Sequence, residues 1–260
     1  MLILGIESST SQVGCAIGGH EGVLASVHSS RGKRHAENLT PQIEFVCEQA
    51  RVGLQEISVV AVDIGPGLYT GLRVGVTSAI SIAFGLNIPM IGVTSLDLVA
   101  YPIRHCQKLI VAAVDARRDE IFHANYRQVP GGIQRISEPA VTSPEDLSAE
   151  LLASNDEVQL VGDGAIRYAD HFKDLKGVEP AEPGLAFPSA SSLVQLAHAK
   201  ALREDFIKPS ELKPLYLRKP DALEIDLEMG ARIDRHCQEM GLIVRPLMNM
   251  CVFSPPLIIT

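Results

Sequence analysis

Three short segments carry the residue types that could do chemistry. The first is Gly65-Pro66-Gly67-Leu68-Tyr69-Thr70-Gly71-Leu72-Arg73-Val74-Gly75. Gly65 and Gly67 permit positive φ and a close backbone approach. Thr70 could cap a following helix, and the free N–H groups of a helix start favour an anion such as phosphate. The same residues also describe a tight turn, with Gly71 and Gly75 letting another helix come close. No Gly-Lys-Ser/Thr follows and the G-x-G-x-x-G spacing is missing, so this is neither a P-loop nor a dinucleotide fingerprint. The second segment is Glu7-Ser8-Ser9-Thr10, at the end of an apolar run. A carboxylate followed by hydroxyls could hold a hydrated metal and a phosphate. Equally, the hydroxyls could satisfy the N–H groups of a turn. The third is Asp115-Ala116-Arg117-Arg118-Asp119, a turn whose arginines read as solvated charges.

Other chemistries find little support. The cysteines, Cys15, Cys47, Cys106, Cys237 and Cys251, are odd in number and never paired as C-x-x-C. They read as reduced, buried thiols. No H-x-x-x-H pair occurs among the eight histidines, so no metal ligand set is expected.

The elements that must position these segments follow from periodicity. Leu2–Glu7, Val13–Ile17 and Val23–Val27 are short strands joined by tight connections, as in an antiparallel meander. Leu39, Ile43, Val46 and Ala50 fall at helical spacing. Pro41 either opens that helix behind a Thr40 cap or lies within a helix that begins earlier and kinks. Val59–Ile64 is a strand with a continuously apolar centre, as expected for burial on both faces. A helix from about Leu72 to Phe84 and a strand over Met90–Val93 complete a first unit.

The pattern then restarts. Leu109–Asp115, Glu120–Tyr126 and Ile133–Ile136 read as strands, and Pro144–Ala153 as a helix opened by Ser143. Val158–Val161 is a strand and Ser192–Arg203 a helix. The expected organisation is a first lobe over residues 1–108, a second over 109–222, and an atypical tail over 223–260.

The 260 residues are 46% hydrophobic, enough for a sizeable core, and the net charge of −8 includes no basic run. A protein that grips a nucleic-acid backbone with its own surface carries a basic patch. Contact with RNA is therefore expected only through a basic partner. No run of about 18 apolar residues is present, which speaks against a membrane span. The N-terminus reads as a strand, not a signal peptide, so a cytoplasmic location is expected.

Several of these motifs together resemble one family. Ile64–Gly75 resembles the G-P-G-S-F-T-G-L-R-x-G signature of the bacterial TsaB (YeaZ) proteins. His35-Ala36-Glu37-Asn38-Leu39-Thr40-Pro41 is similar to their H-S/A-E-x-L-x-P helix start. Val93-Thr94-Ser95-Leu96, Asp115–Ile121, Gly162-Asp163-Gly164-Ala165 and Tyr216-Leu217-Arg218 also fit, in order, over about residues 1–222.

The resemblance implies a two-lobed α/β fold of the actin-like, Hsp70 and sugar-kinase (ribonuclease H-like) kind, each lobe βββαβα. It implies a non-catalytic scaffold or activator of a TsaD-type transferase in forming N6-threonylcarbamoyladenosine beside the tRNA anticodon, with a TsaE-type ATPase joining them. The helices of the first lobe would contact TsaD or a second copy, through His35, Leu39, Ile43, Arg73, Val76 and Ile80. Where TsaD-like chains carry a metal-binding N-H-L-E-G-H run, this chain has Ser95 and Val99 at the histidine positions. Glu7, with Ser9, Thr10 and Asp115, would stand at the nucleotide and Mg²⁺ cleft of actin-like ATPases. Relatives usually have Asp at the place of Glu7. The competing reading is an autonomous ATPase, kinase or peptidase.

Residues 230–260 resemble instead the C-terminal segment of class III pyridoxal-phosphate aminotransferases. The domain that carries their Schiff-base lysine has no counterpart here, so neither the cofactor nor transamination is expected. A short amphipathic helix over Ala231–Met240 and an apolar strand-like stretch are expected in the tail, which is read as an accidental fusion.

Overall fold

In a computed structural model, residues 1–30, 35–218, 245–247 and 250–252 are described. Residues 1–217 form one compact unit and 218–260 a second.

The compact unit is built on two sheets made by the same rule. In the first, β1 (Leu2–Glu7), β2 (Val13–Gly19) and β3 (Gly22–Ser29) form the expected antiparallel meander. The chain then makes α1 (His35–Ala50), β4 (Val59–Asp63), α2 (Tyr69–Leu86) and β5 (Met90–Val93). β4 joins β1 in parallel and β5 joins β4, giving the order β3-β2-β1-β4-β5. All five residues of β4 are buried, as its unbroken apolar run requires.

After α3 (Ser95–Ala100) the second sheet repeats the scheme. β6 (Leu109–Arg117), β7 (Glu120–Val129) and β8 (Gly132–Arg135) are antiparallel, and β9 (Ala140–Thr142) also pairs with β7. Beyond α4 (Pro144–Ser154), β10 (Val158–Val161) joins β6 in parallel. α5 (Asp163–Arg167) and β11 (Val178–Pro180) follow, and the order is β11-β10-β6-β7-β8. α6 (Ala190–Ala201) is the last helix of the unit. This is the two-lobed α/β fold expected from the sequence.

Alternation along the strands sorts the core into layers. Leu4, Ile6, Val60 and Val62 face α1 and α2, through Leu39, Ile43, Val46, Val76, Ala79 and Ala83. Ile3, Val59, Ala61, Ile91 and Val93 face the other way, onto Leu193, Val194 and Ala197 of α6. The second sheet has α3 on one face and α4 with α5 on the other. Two helices thus cross the boundary expected at residue 108. α3 precedes it and covers the second sheet, while α6 follows it and covers the first.

Several expected boundaries shift. α1 begins at His35 with Pro41 inside it, so the helix starts before the proline and Thr40 does not open it. α2 begins at Tyr69 behind Leu68, with no side-chain cap. Thr70 is therefore an exposed residue of the first turn and caps nothing. Ser143 caps α4 as expected, accepting from the Asp146 N–H at 3.0 Å.

In the tail, β12 (Arg245–Leu247) and β13 (Met250–Val252) pair in antiparallel fashion. The expected helix over Ala231–Met240 lies outside the described residues.

Candidate functional site

The carboxyl ends of the central strands of the first sheet carry two buried acids. Glu7 ends β1 and is 1% exposed. Its Oε1 accepts from the Ser9 N–H at 2.7 Å and the Ser9 hydroxyl at 2.8 Å. Asp63 ends the neighbouring parallel strand β4 and is 2% exposed. Its Oδ1 accepts from the Gly65 N–H and the Ser95 hydroxyl, both at 2.7 Å. Its Oδ2 is buried with no hydrogen-bond partner among the described residues. Burial pushes the Asp63 carboxyl up to about 6. Burial, and then the charge of Asp63, push Glu7 well above the usual carboxylate range.

The Gly65–Gly75 segment is folded onto this acidic turn. Ser9 O accepts from the Leu68 N–H at 2.6 Å, and the Ser8 hydroxyl donates to Gly71 O at 2.8 Å. A Cβ on Gly67 would overlap the Ser9 carbonyl oxygen, one on Gly71 the Ser8 carbonyl oxygen, and one on Gly75 the Ser8 hydroxyl. What Gly71 and Gly75 admit is therefore the Ser8–Ser9 turn and not another helix. Gly65 lies at φ +99° and joins Pro66 through a cis peptide bond. On the other side the His35 Nε2–H donates to Thr10 O at 2.9 Å. One four-residue turn thus anchors the starts of both α1 and α2.

The second sheet treats its acid differently. Asp115, near the end of β6, is also buried. Its Oδ1 accepts from the Arg117 N–H at 2.9 Å and the Tyr168 hydroxyl at 3.3 Å. Its Oδ2 meets the guanidinium of Arg117 at 3.0 Å and that of Arg167 at 3.5 Å. Arg117, Arg118 and Asp119 all hold positive φ in the hairpin between β6 and β7. Asp163, at the start of α5, accepts from the Asp115 N–H at 3.0 Å, and burial pushes it up to about 6.

The fold implies a site for Mg²⁺ and nucleotide phosphates at these strand ends, and the residues do not fit it. Mg²⁺ keeps several waters and meets phosphate through one or two carboxylates. Glu7, Ser9, Thr10 and Asp63 are sealed from solvent by the Gly65–Gly71 segment, with Ser9 fully buried. The Ser9 N–H and hydroxyl are already given to Glu7, and both Asp115 oxygens are engaged. Among the described residues no group of three His, Cys, Asp or Glu side chains is arranged for a metal. At the positions of the TsaD-like histidines, Ser95 bonds Asp63 and Val99 lies in the apolar core with α3.

The residues expected at an interface differ in exposure within the chain. His35, Leu39, Ile43 and Val76 point inward and are buried in the chain itself; Ile80 is half-buried and only Arg73 is exposed. The apolar stripe of each helix serves its own sheet, as an amphipathic helix requires. The outward faces instead show Phe45 on α1 and Phe84 on α2, the latter 80% exposed. Arg73 stacks on Tyr69 at 4.4 Å, and Tyr69 meets Tyr216 with ring centroids 5.3 Å apart.

Asp63, Ser95 and Asp163 were not expected. For Asp63 the signal was available: an acid ending an apolar run buried on both faces and followed by a glycine-rich turn.

The family model for TsaD, tRNA N6-adenosine threonylcarbamoyltransferase, matches residues 22–225. The TsaB protein of Haemophilus influenzae is 28% identical, over 84% of this chain and 94% of that one. An uncharacterised protein of Mycobacterium leprae is 33% identical over 86% of this chain, which spans 56% of the length of that protein. YeaZ from Pseudomonas aeruginosa superposes with a TM-score of 0.72 at 24% identity, over 83% of this chain and 99% of that one, and so shares the fold. The match ends at residue 225 and lends the aminotransferase resemblance of 230–260 no support. The glycine-rich segment locked onto the strand-end turn therefore sits in a chain that belongs to the TsaD family and is similar to the TsaB (YeaZ) proteins.

Proposed function

We propose that this protein is a non-catalytic subunit in the formation of N6-threonylcarbamoyladenosine on tRNA. It docks on a TsaD-type transferase, with a TsaE-type ATPase joining the assembly, and meets tRNA only through those partners. The observation that carries this reading is the sealed strand-end site. Its acids bond their own turns and arginines, and its glycines admit backbone where a ligand would enter. Such a site holds helices in place and offers no group to a substrate.

The docking face is the outward side of α1 and α2. Phe84 and Phe45 are its apolar anchors, with Arg73 at one end. Burying one large side chain is worth about 1.5–3 kcal/mol, enough for two such anchors to govern an interface. A second copy of this chain would compete for the same face.

The test is threonylcarbamoyl transfer to tRNA by a TsaD–TsaE-type mixture, with and without this chain. Modification is expected only with the chain present, and loss of rescue with Phe84→Asp at an unchanged melting temperature. ATP turnover by the chain alone would favour the autonomous enzyme. Full rescue by both Phe84→Asp and Phe45→Asp would move the docking face elsewhere.

A further inference from the structure

The two sheets end in equivalent acids that are neutralised by different means. At the end of β6, Asp115 accepts from the N–H two residues on, and two guanidiniums balance its charge. At the end of β1, Glu7 accepts from the N–H two residues on in the same way. Burial, Asp63 on β4 and Asp163 at the start of α5 all raise Glu7, against the two bonds from Ser9 that lower it. The other titratable neighbours do not help. Cys15 on β2, paired with Ile6, is held as a thiol by burial and then by the charge of Glu7. Cys47 on α1 raises Cys15 further, and Asp97 on α3 raises Asp63 as a like charge. The His35 Nε2–H is committed to Thr10 O.

Two sealed carboxylates on adjacent parallel strands cannot both ionise without a compensating charge. A metal would need room for its waters, and the site is closed. We propose that Glu7 and Asp63 hold one proton between them, in the place where a cation would sit, and that losing it loosens the turn that anchors α1 and α2. The unpartnered Asp63 Oδ2 is the acceptor lone pair such a proton requires. Release would leave two negative charges under the Gly65–Gly71 segment. The turn would open to water, and its links to Leu68, Gly71 and His35 would fail together. Any effect on Phe45 and Phe84 rests on the docking reading above, whereas the proton itself does not.

The test is a carboxyl-detected NMR titration of the full chain from pH 5 to 9, with amide exchange measured alongside. One of the two carboxyls is expected to be protonated at pH 7 and to ionise only above it. Protection of residues 35–39 and 65–71, corrected for intrinsic exchange, should fall in the same window. Glu7→Gln should abolish both changes. If that variant does not fold, through-bond assignment in the wild-type chain still identifies the resonances. Added MgCl₂ should shift neither carboxyl. Both groups ionised at pH 7, titration without loss of protection, or a saturable Mg²⁺ shift would each overturn the proposal.

Discussion

Gly67 and Gly85 are separated by less than twenty residues, and the same substitution should act on them with opposite sign. At Gly67 a methyl group meets the backbone carbonyl of Ser9, which cannot rotate away. Gly67→Ala should cost about 1–3 kcal/mol in urea unfolding, the range of an overpacked site. At Gly85, in the last turns of α2, an added Cβ meets nothing within 4 Å. Gly85→Ala should gain about 0.5–1 kcal/mol in the same assay. The buried acids give a prediction with a sign in pH. The Asp63 carboxyl is raised from 3.8 to about 6, so the folded state holds a proton that the unfolded chain has released. Its contribution is full below the unfolded value and is lost as pH rises through the folded one. At about 1.4 kcal/mol per unit, the loss is on the order of 2–3 kcal/mol by pH 7. Asp63→Asn keeps an acceptor for Gly65 and Ser95 and places a donor where Oδ2 has no partner. It should stabilise the protein by about that amount at pH 7 and flatten the decline between pH 4 and 6, as read by denaturation at stepped pH.

Among the elements, α3 joins the two halves of the site. It is six residues long and starts where the Thr94 side chain accepts from the Asp97 N–H at 3.2 Å. That cap aims the Ser95 hydroxyl at Asp63. Thr94→Ala should cost about 1 kcal/mol, the usual loss for a cap, and raise amide exchange at Ser95 and Gly65 before the rest of the first sheet. Such short elements explain where sequence reading stops. Strands β1 to β5 and helices α1, α4 and α6 were readable because each shows a full period of apolar residues. α3 spans less than two turns and cannot display one, and the three-residue strands β9 and β11 have the same difficulty. The helix stripes were also readable, but not which way they faced. His35, Leu39, Ile43 and Val76 fit an interface or a core equally well in one dimension, and only the packed sheet shows that they are buried within the chain. The glycine-rich segment was correctly placed between strand and helix, yet its neighbour, the Ser8–Ser9 turn, lies nearly sixty residues away in sequence.

At the scale of the molecule, the two helices that cross the lobe boundary tie the sheets together. α6 seals one face of the first sheet and α3 one face of the second. Residues 206–215 add backbone links to the first, at Met90 and at Ile64. The two sheets should therefore unfold in a single transition, with amides of β1 and β6 losing protection at the same denaturant concentration. Separate transitions would show that the shared helices do not couple the lobes.

The late position of α6 also bears on synthesis. The five strands of the first sheet lie within the first 93 residues, while the helix that covers Ile3, Val59, Ala61, Ile91 and Val93 begins at Ala190. A ribosome adding roughly 5–20 residues per second needs about 5–20 s to travel that interval. For that time the nascent sheet carries a bare apolar face with no segment of its own chain to close it. The half-made protein is thus a natural client for a chaperone at the exit tunnel, and slowing translation between residues 93 and 190 should lower the yield of soluble protein.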